Sequence, residues 1–102
     1  MPVEKYIEQH LVRSITRMGG LCIKLSCPGF AGMPDRLILM PGGRIAFAET
    51  KAPGKKERPI QCAVQEQLRR LGHTVFSSVD CTGKVQEVLD WAAGARVEKE
   101  VP

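Results

Sequence analysis

Apolar and polar residues alternate with two different periods along the chain, and these periods separate predicted helices from predicted strands. Apolar positions recur every three or four residues from about residue 3 to 18, which predicts a helix ended by Gly19-Gly20. A second helical pattern opens at Pro59 and ends before Gly72, and a third runs from about residue 83 to 93. The expected inward stripes are Ile7, Leu11, Ile15 and Met18, then Ile60, Val64, Leu68 and Leu71, then Val85, Val88, Leu89 and Ala92.

Four shorter apolar stretches alternate with a period of two and are predicted to be strands. They span residues 21–26, 36–40, 44–51 and 73–79. The resulting order is helix, strand, strand, strand, helix, strand, helix (αβββαβα). It predicts an α/β fold in which helices flank a central mixed sheet.

The second and third strands are predicted to form a hairpin around Pro41-Gly42-Gly43. If these three residues form the loop, Asp35 lies opposite Glu49 and both side chains share one face of the sheet. A two-residue turn would instead place Asp35 opposite Thr50 and separate the two acids. We favour the three-residue loop because it brings the acidic residues together.

Side-chain alternation then divides the hairpin into two faces. One face is expected to hold Asp35, Leu37, Leu39, Ile45, Phe47, Glu49 and Lys51, and the other to hold Ile38, Met40, Ala46 and Ala48. Because both faces are apolar, the hairpin is predicted to be central in a sheet covered on both sides.

Size and composition place further limits on the protein. Its 102 residues suit one domain, which we assign to residues 1–94, followed by a polar tail at 95–102. The net charge of +4 is compatible with an acidic partner such as nucleic acid. The four cysteines follow no zinc-ligand spacing and are expected to be reduced thiols. With no apolar run long enough for a membrane span and no signal-peptide core, we expect no membrane association and a cytoplasmic location.

The acidic end of the hairpin is the candidate site. Two facing carboxylates repel each other unless a cation lies between them, and all-oxygen ligands favour Mg²⁺ or Mn²⁺ over zinc. Lys51 lies on the same face and can orient or deprotonate a water, or stabilise charge on a phosphate. The alternative is a surface ion pair between Lys51 and one of the acids. Helical periodicity does not decide whether Glu4 or Glu8 of the first helix belongs to this site.

Basic residues flank the candidate site. The loop after Lys51 carries Lys55, Lys56 and Arg58, and these cations are predicted to contact phosphates rather than form an ordinary solvated turn. Lys24 in the first strand is either a phosphate contact or an edge lysine that extends into water.

Pro34-Asp35, a stretch of thirteen residues and Glu49-Thr50-Lys51 together resemble the PD-(D/E)xK nuclease pattern, and the longer match resembles the VRR-NUC family of that superfamily. The matching segments are residues 7–20, 26–29, 32–37, 41–43, 49–54 and 58–72. This resemblance implies a restriction-endonuclease-like core. It also implies that the acidic residue of the first helix is Glu8, that the Thr50 carbonyl is a further metal ligand, and that Gln61 lies near the site. Cys27 and Ala31 depart from the pattern, where a hydroxyl residue and a basic residue are expected.

The resemblance further implies a metal-dependent DNA endonuclease of the free-standing phage type, acting in a bacterial cytoplasm or a phage-infected cell. Such proteins resemble Holliday-junction resolvases, so branched or four-way DNA and a homodimer are expected. The alternatives are a non-catalytic DNA-binding module or a subunit of a repair complex on a nuclease scaffold.

Overall fold

The computed structural model describes residues 3–99 and has the predicted order of elements. The helices are α1 (Val3–Arg17), α2 (Pro59–Arg70) and α3 (Thr82–Lys99), and the strands are β1 (Leu21–Lys24), β2 (Arg36–Met40), β3 (Arg44–Thr50) and β4 (Thr74–Val79). Helix α3 continues to Lys99, beyond the predicted end at residue 93, because Gly94 costs a helix only about 1 kcal/mol. The remainder of the predicted tail, residues 100–102, lies outside the described residues.

The four strands form one mixed sheet in the order β1-β2-β3-β4, which confirms the predicted fold class. Strands β1, β2 and β3 are antiparallel neighbours, whereas β4 runs parallel to β3 and is reached through α2. In the hairpin, Met40 pairs with Arg44 and Arg36 pairs with Ala48. This is the register of a three-residue loop, so Asp35 and Glu49 follow as the next opposed pair.

One face of the sheet is closed by α1 and α3. The hairpin residues on this face are Ile38, Met40, Ala46 and Ala48, and all four are buried. They pack against an apolar cluster from the two helices that includes Ile7, Leu11, Ile15, Val85, Val88 and Ala92. Trp91 borders this core against Phe76, and the Arg44 guanidinium lies 4.8 Å from the centre of its ring. The core fixes the hairpin register because a slip of one residue would expose it.

The opposite face is covered only in part, so the prediction of a sheet covered on both sides is wrong. Leu21, Ile23 and Ile45 remain 58%, 42% and 42% exposed. Leu21 and Ile45 lie at the two ends of one cross-strand row through Leu39. On this face, helix α2 packs mainly on β4, and no helix among the described residues packs over β1 and β2. We call Leu21, Ile23, Leu39 and Ile45 the open apolar patch.

Helix α2 is rotated relative to the predicted stripe. Ile60 and Leu71 are exposed, whereas Gln61, Val64 and Gln65 are buried. The inward side of this helix is therefore partly polar, and its glutamines find partners in the sheet. The Gln61 amide donates a hydrogen bond to the Glu49 carboxylate at the end of β3. Gln65 Oε1 accepts a 2.6 Å hydrogen bond from the Ser77 hydroxyl in β4.

Two further findings concern the helices and the cysteines. Between residues 3 and 99, no helix combines the length and apolar character needed to cross a membrane. The four cysteines are free thiols.

Candidate functional site

The loop that contains Gly32 and Pro34 leads directly into Asp35 and is closely packed. Gly32 has φ of 97° and packs so closely on α2 that an added Cβ would lie 2.8 Å from the Ile60 carbonyl oxygen. Any side chain at this position would therefore meet both backbone strain and a collision. Pro34 is fully buried, and β2 begins directly after Asp35. The loop thus fixes where the first acidic residue enters the sheet.

Asp35 and Glu49 are held by reciprocal hydrogen bonds between the ends of β2 and β3. The Asp35 carboxylate accepts from the Thr50 backbone N–H at 3.0 Å and from the Thr50 hydroxyl at 2.6 Å. The Glu49 carboxylate accepts from the Asp35 backbone N–H at 3.1 Å. Each acid is therefore oriented by the backbone of the other strand. These bonds bring the two acidic residues together at the neighbouring ends of β2 and β3.

Gln61 connects this acidic pair to Lys51 and to the start of α2. Its Nε2 donates to Glu49 Oε2 at 3.1 Å, while its Oε1 accepts from Lys51 Nζ at 3.1 Å. The same oxygen accepts from the Arg58 backbone N–H at 2.7 Å, which satisfies one of the free donors at the helix start. Lys51 Nζ lies 3.3 Å from Glu49 Oε2. Three side chains thus form one connected polar network.

The electrostatics of the site centre on Glu49. Burial raises the pKa of its carboxyl above the ordinary 4.5, and the negative charge of Asp35 raises it further. The Lys51 hydrogen bond and charge oppose this shift but do not cancel it. A buried carboxyl beside another acid is an arrangement that binds a cation well, because the cation relieves the repulsion.

A bulge in β4 lies opposite Glu49. The register passes from Ala48–Phe76 to Thr50–Val79, so β4 has one extra residue at this point. Ser78 takes up the irregularity with φ of 52°, a conformation that is rare outside glycine. The Glu57 carboxylate accepts from the Ser78 backbone N–H at 2.6 Å and from the Ser78 hydroxyl.

Sequence reasoning missed the role of Glu57. An acidic residue within a basic loop carries no sequence signal of a contact 21 positions away. Beyond the bulge, β3 and β4 are again joined by a backbone hydrogen bond. The Lys51 N–H donates to the Val79 carbonyl oxygen at 3.0 Å. The bulge and its Glu57 contact therefore help set the positions of Glu49 and Lys51.

Glu8 lies in a different environment from the acidic pair. Its carboxylate accepts from the Arg36 guanidinium at 2.7 Å, and both side chains are mostly buried. Among the side chains of residues 3–94, no three acidic, histidine or cysteine groups lie close enough together to hold a metal ion. The structure thus brings together Asp35, Glu49, Thr50, Lys51 and Gln61, and leaves Glu8 paired with Arg36.

The predicted DNA-binding cations are on the surface. Lys55, Lys56 and Arg58 are exposed in the loop that follows Lys51. Lys24 is exposed in β1, opposite Arg36 in β2, and therefore on the face that α1 covers.

Comparison with known proteins supports one family. The chain is 46% identical over 73 residues to "Putative nuclease p44" of Acyrthosiphon pisum secondary endosymbiont phage 1, covering 72% of this chain and 78% of that protein. A solved structure described as a VRR_NUC domain superposes with a TM-score of 0.80 at 30% identity, covering 88% of this chain and 97% of that one. A scan against protein-family models gave no match. The sequence relative and the structural match both cover most of the fold that carries the acidic pair, and on these grounds the chain belongs to the VRR-NUC family of nucleases.

Proposed function

We propose that this protein is a metal-dependent DNA endonuclease that hydrolyses phosphodiester bonds. The observation that supports the proposal is the Asp35–Glu49 pair, joined by reciprocal hydrogen bonds between the strand ends, with Lys51 Nζ 3.3 Å from Glu49 Oε2. Two adjacent acids and a lysine at the open end of a sheet provide cation binding and a positive charge at the same point. Phosphodiester hydrolysis needs both.

The donor atoms of this site fit Mg²⁺ or Mn²⁺. Asp35 and Glu49 offer carboxylate oxygens, and the Thr50 carbonyl would be a third oxygen donor. A magnesium ion commonly binds one or two carboxylates and fills its remaining positions with water and substrate phosphate, so this small set suffices. When bound, such an ion supplies Lewis-acid activation of the phosphate and of a water. Glu8 is proposed as an additional acidic ligand, which requires its carboxylate to leave Arg36.

Lys51 is proposed to act on the attacking water or on the charge that develops on the phosphate. Its ammonium group is held between Glu49 Oε2 and Gln61 Oε1, so it is already oriented toward the acidic pair. Gln61 is proposed to hold both Glu49 and Lys51 in place during the reaction. Such preorganisation stabilises charge without reorganising the site.

Lys24, Lys55, Lys56 and Arg58 are proposed to contact DNA phosphates. The last three are exposed and follow Lys51 within seven residues, so they lie beside any DNA bound at the acidic pair. Each phosphate contact contributes to affinity and to its dependence on salt, but not to the chemical step.

We further propose a homodimer that cuts branched DNA, including four-way junctions. Two symmetric cuts need two sites, and each chain supplies one Asp35–Glu49–Lys51 set. The open apolar patch supports a second copy as the covering partner, because a two-fold interface can place the same flat apolar surface on both chains. The patch lies on the same sheet face as Glu49, so such a dimer would hold its two sites in a fixed relation.

A titration of Mg²⁺ and Mn²⁺ with linear, flapped and four-way DNA tests this function. We expect cleavage only with a divalent ion, and paired symmetric nicks in the four-way junction. A dimer that mixes parental and Lys51→Ala chains should cut one strand per junction. If the protein cuts linear DNA but sediments as a monomer, the nuclease proposal is kept and the proposal of a dimeric junction-cutting enzyme is rejected. DNA binding without cleavage by any ion would instead show a non-catalytic module.

A further inference from the structure

A cavity of about 320 Å³ lies between α1 and the start of β2, outside the acidic pair. Its lining includes Lys5, Gln9 and Arg13 from α1 and Arg36 from β2. The α1 residues are separated by four positions, so they lie on one face of the helix and point to the same region. Three cations from two elements therefore surround one cavity.

The residues that line this cavity carry a net positive charge. Glu8 is the one acidic residue in the lining, and it is already paired with Arg36 at 2.7 Å. Lys5 and Arg13 are exposed and make no ion pair with an acidic residue among the described residues. Since the Glu8–Arg36 pair is neutral, the cavity keeps the charge of the two exposed cations.

Arg36 adds an observation that points to an anionic ligand. Its Nε is buried and has no hydrogen-bond partner, and within residues 3–99 it shares this condition only with Gln65 Nε2. A buried donor without a partner costs free energy until an acceptor reaches it. Arg36 is itself a lining residue of the cavity, and an anion bound there would offer acceptor atoms to this guanidinium.

We infer that this cavity binds a phosphodiester of the DNA other than the one that is cut. The inference rests on the proposed function for the identity of the ligand. Arg36 is the first residue of β2 and directly follows Asp35, so the cavity adjoins the acidic pair along the chain. Lys24 pairs with Arg36 across the sheet and extends the positive surface onto the edge strand. The DNA is thus held both at the acidic pair and at the cavity beside it.

The salt dependence of DNA binding, measured in EDTA by fluorescence anisotropy, tests this inference without cleavage. The cavity variant replaces Lys5 and Arg13 with glutamine, and the control variant replaces Arg17 and Lys84 with glutamine. Both variants lose two positive charges, but Arg17 and Lys84 do not line the cavity. We expect the slope of log K against log salt to fall by about 1.8 units in the cavity variant, about 0.9 per contact, and to stay parental in the control.

Cleavage at saturating DNA should remain parental in the cavity variant, because neither residue belongs to the acidic pair. Equal slopes in the cavity variant and the control would overturn the inference, even if the parental protein cuts DNA. A parental protein that binds but never cuts DNA would defeat the proposed function. The anion site would then be judged only by the salt slope of the cavity variant relative to the control.

Discussion

The two faces of the β2–β3 hairpin have similar apolar side chains but very different surroundings. On the closed face, Ile38, Ala46 and Ala48 are fully buried against α1 and α3. On the other face, Ile45 is 42% exposed and the strands end in the acidic pair. The closed face fixes the register, and the register in turn places the two acids opposite each other. Stability and chemistry are thus divided between the two sides of the same ten or so residues.

The largest expected effect is the loss of cleavage rate when one of the proposed catalytic side chains is removed. Glu49→Ala and Lys51→Ala should each slow cleavage by roughly 10²–10⁴-fold, the range for loss of a catalytic proton-transfer or charge-stabilising group. Calorimetry with Mn²⁺ should separate them, because Glu49→Ala removes a proposed ligand whereas Lys51→Ala does not. Parental cleavage by Lys51→Ala would contradict the role given to this lysine.

A matched pair of isoleucine substitutions tests the division between the faces directly. Ile38→Ala should lower the free energy of unfolding by about 2–5 kcal/mol, because it leaves a cavity in the closed core. Ile45→Ala removes the same atoms from an exposed position and should cost less than about 1 kcal/mol. Urea unfolding at low protein concentration measures both. Equal losses at low protein concentration would contradict the division of roles between the two faces.

Much of this arrangement was predictable from the sequence, and the parts that were not share a physical cause. The alternation around Pro41-Gly42-Gly43 predicts the register correctly, since local turn geometry and a buried face both act on it. Apolar content alone could not reveal that one face is open, because exposed and buried apolar residues look identical in sequence. The same limit hid the rotation of α2, where Gln61 takes an inward position assigned to Ile60.

Long-range polar partners were also beyond sequence reasoning. The Glu8–Arg36 pair joins residues 28 positions apart. The Glu57–Ser78 contact depends on a bulge that the local sequence does not predict. Resemblance pointed to Gln61 as a site residue, but its bonds to Glu49 and Lys51 emerged only from the fold.

Metal binding should stabilise the fold in a pH-dependent way. Burial, followed by the Asp35 charge, raises the Glu49 pKa, so the folded protein holds this proton more tightly than the unfolded chain does. The contribution of this group to stability is therefore complete below the ordinary pKa of 4.5 and is lost as pH rises through the raised pKa. A bound ion reverses this loss at higher pH.

At pH 8 and 100 times its dissociation constant, Mn²⁺ should add about 2.7 kcal/mol. That corresponds to a rise in Tm of roughly 10 °C or more for a domain of this size. The rise should shrink as pH falls toward 4.5, because protons then compete with the ion for Glu49. Scanning calorimetry can measure it, with Glu49→Ala as the control that shows no rise. A rise independent of pH would place the ion elsewhere.

The smallest effect is expected at the bulge. Burial alone raises the Glu57 pKa, but the hydrogen bonds from Ser78 outweigh it and lower the pKa overall. Its contribution to stability is thus present above the ordinary 4.5 and lost as pH falls. Glu57→Ala should cost about 1 kcal/mol at pH 7 and less at pH 4.

The bulge also bears on activity. Glu57→Ala should reduce the cleavage rate at saturating DNA more than it changes affinity, because the bulge lies opposite Glu49. Glu66→Ala, which loses only an exposed 3.5 Å pair with Arg70, should leave both properties unchanged. Identical behaviour of the two variants would show that the bulge does not need Glu57.

One oxygen atom, Gln61 Oε1, joins the first turn of α2 to the ammonium group of Lys51. When that turn frays, Lys51 and Glu49 lose a shared partner in the same event. Local opening at helix ends needs far less free energy than global unfolding. The temperature at which this nuclease stops working should therefore lie below the temperature at which it melts, and amide hydrogen exchange at the start of α2 should follow the inactivation rather than the melting.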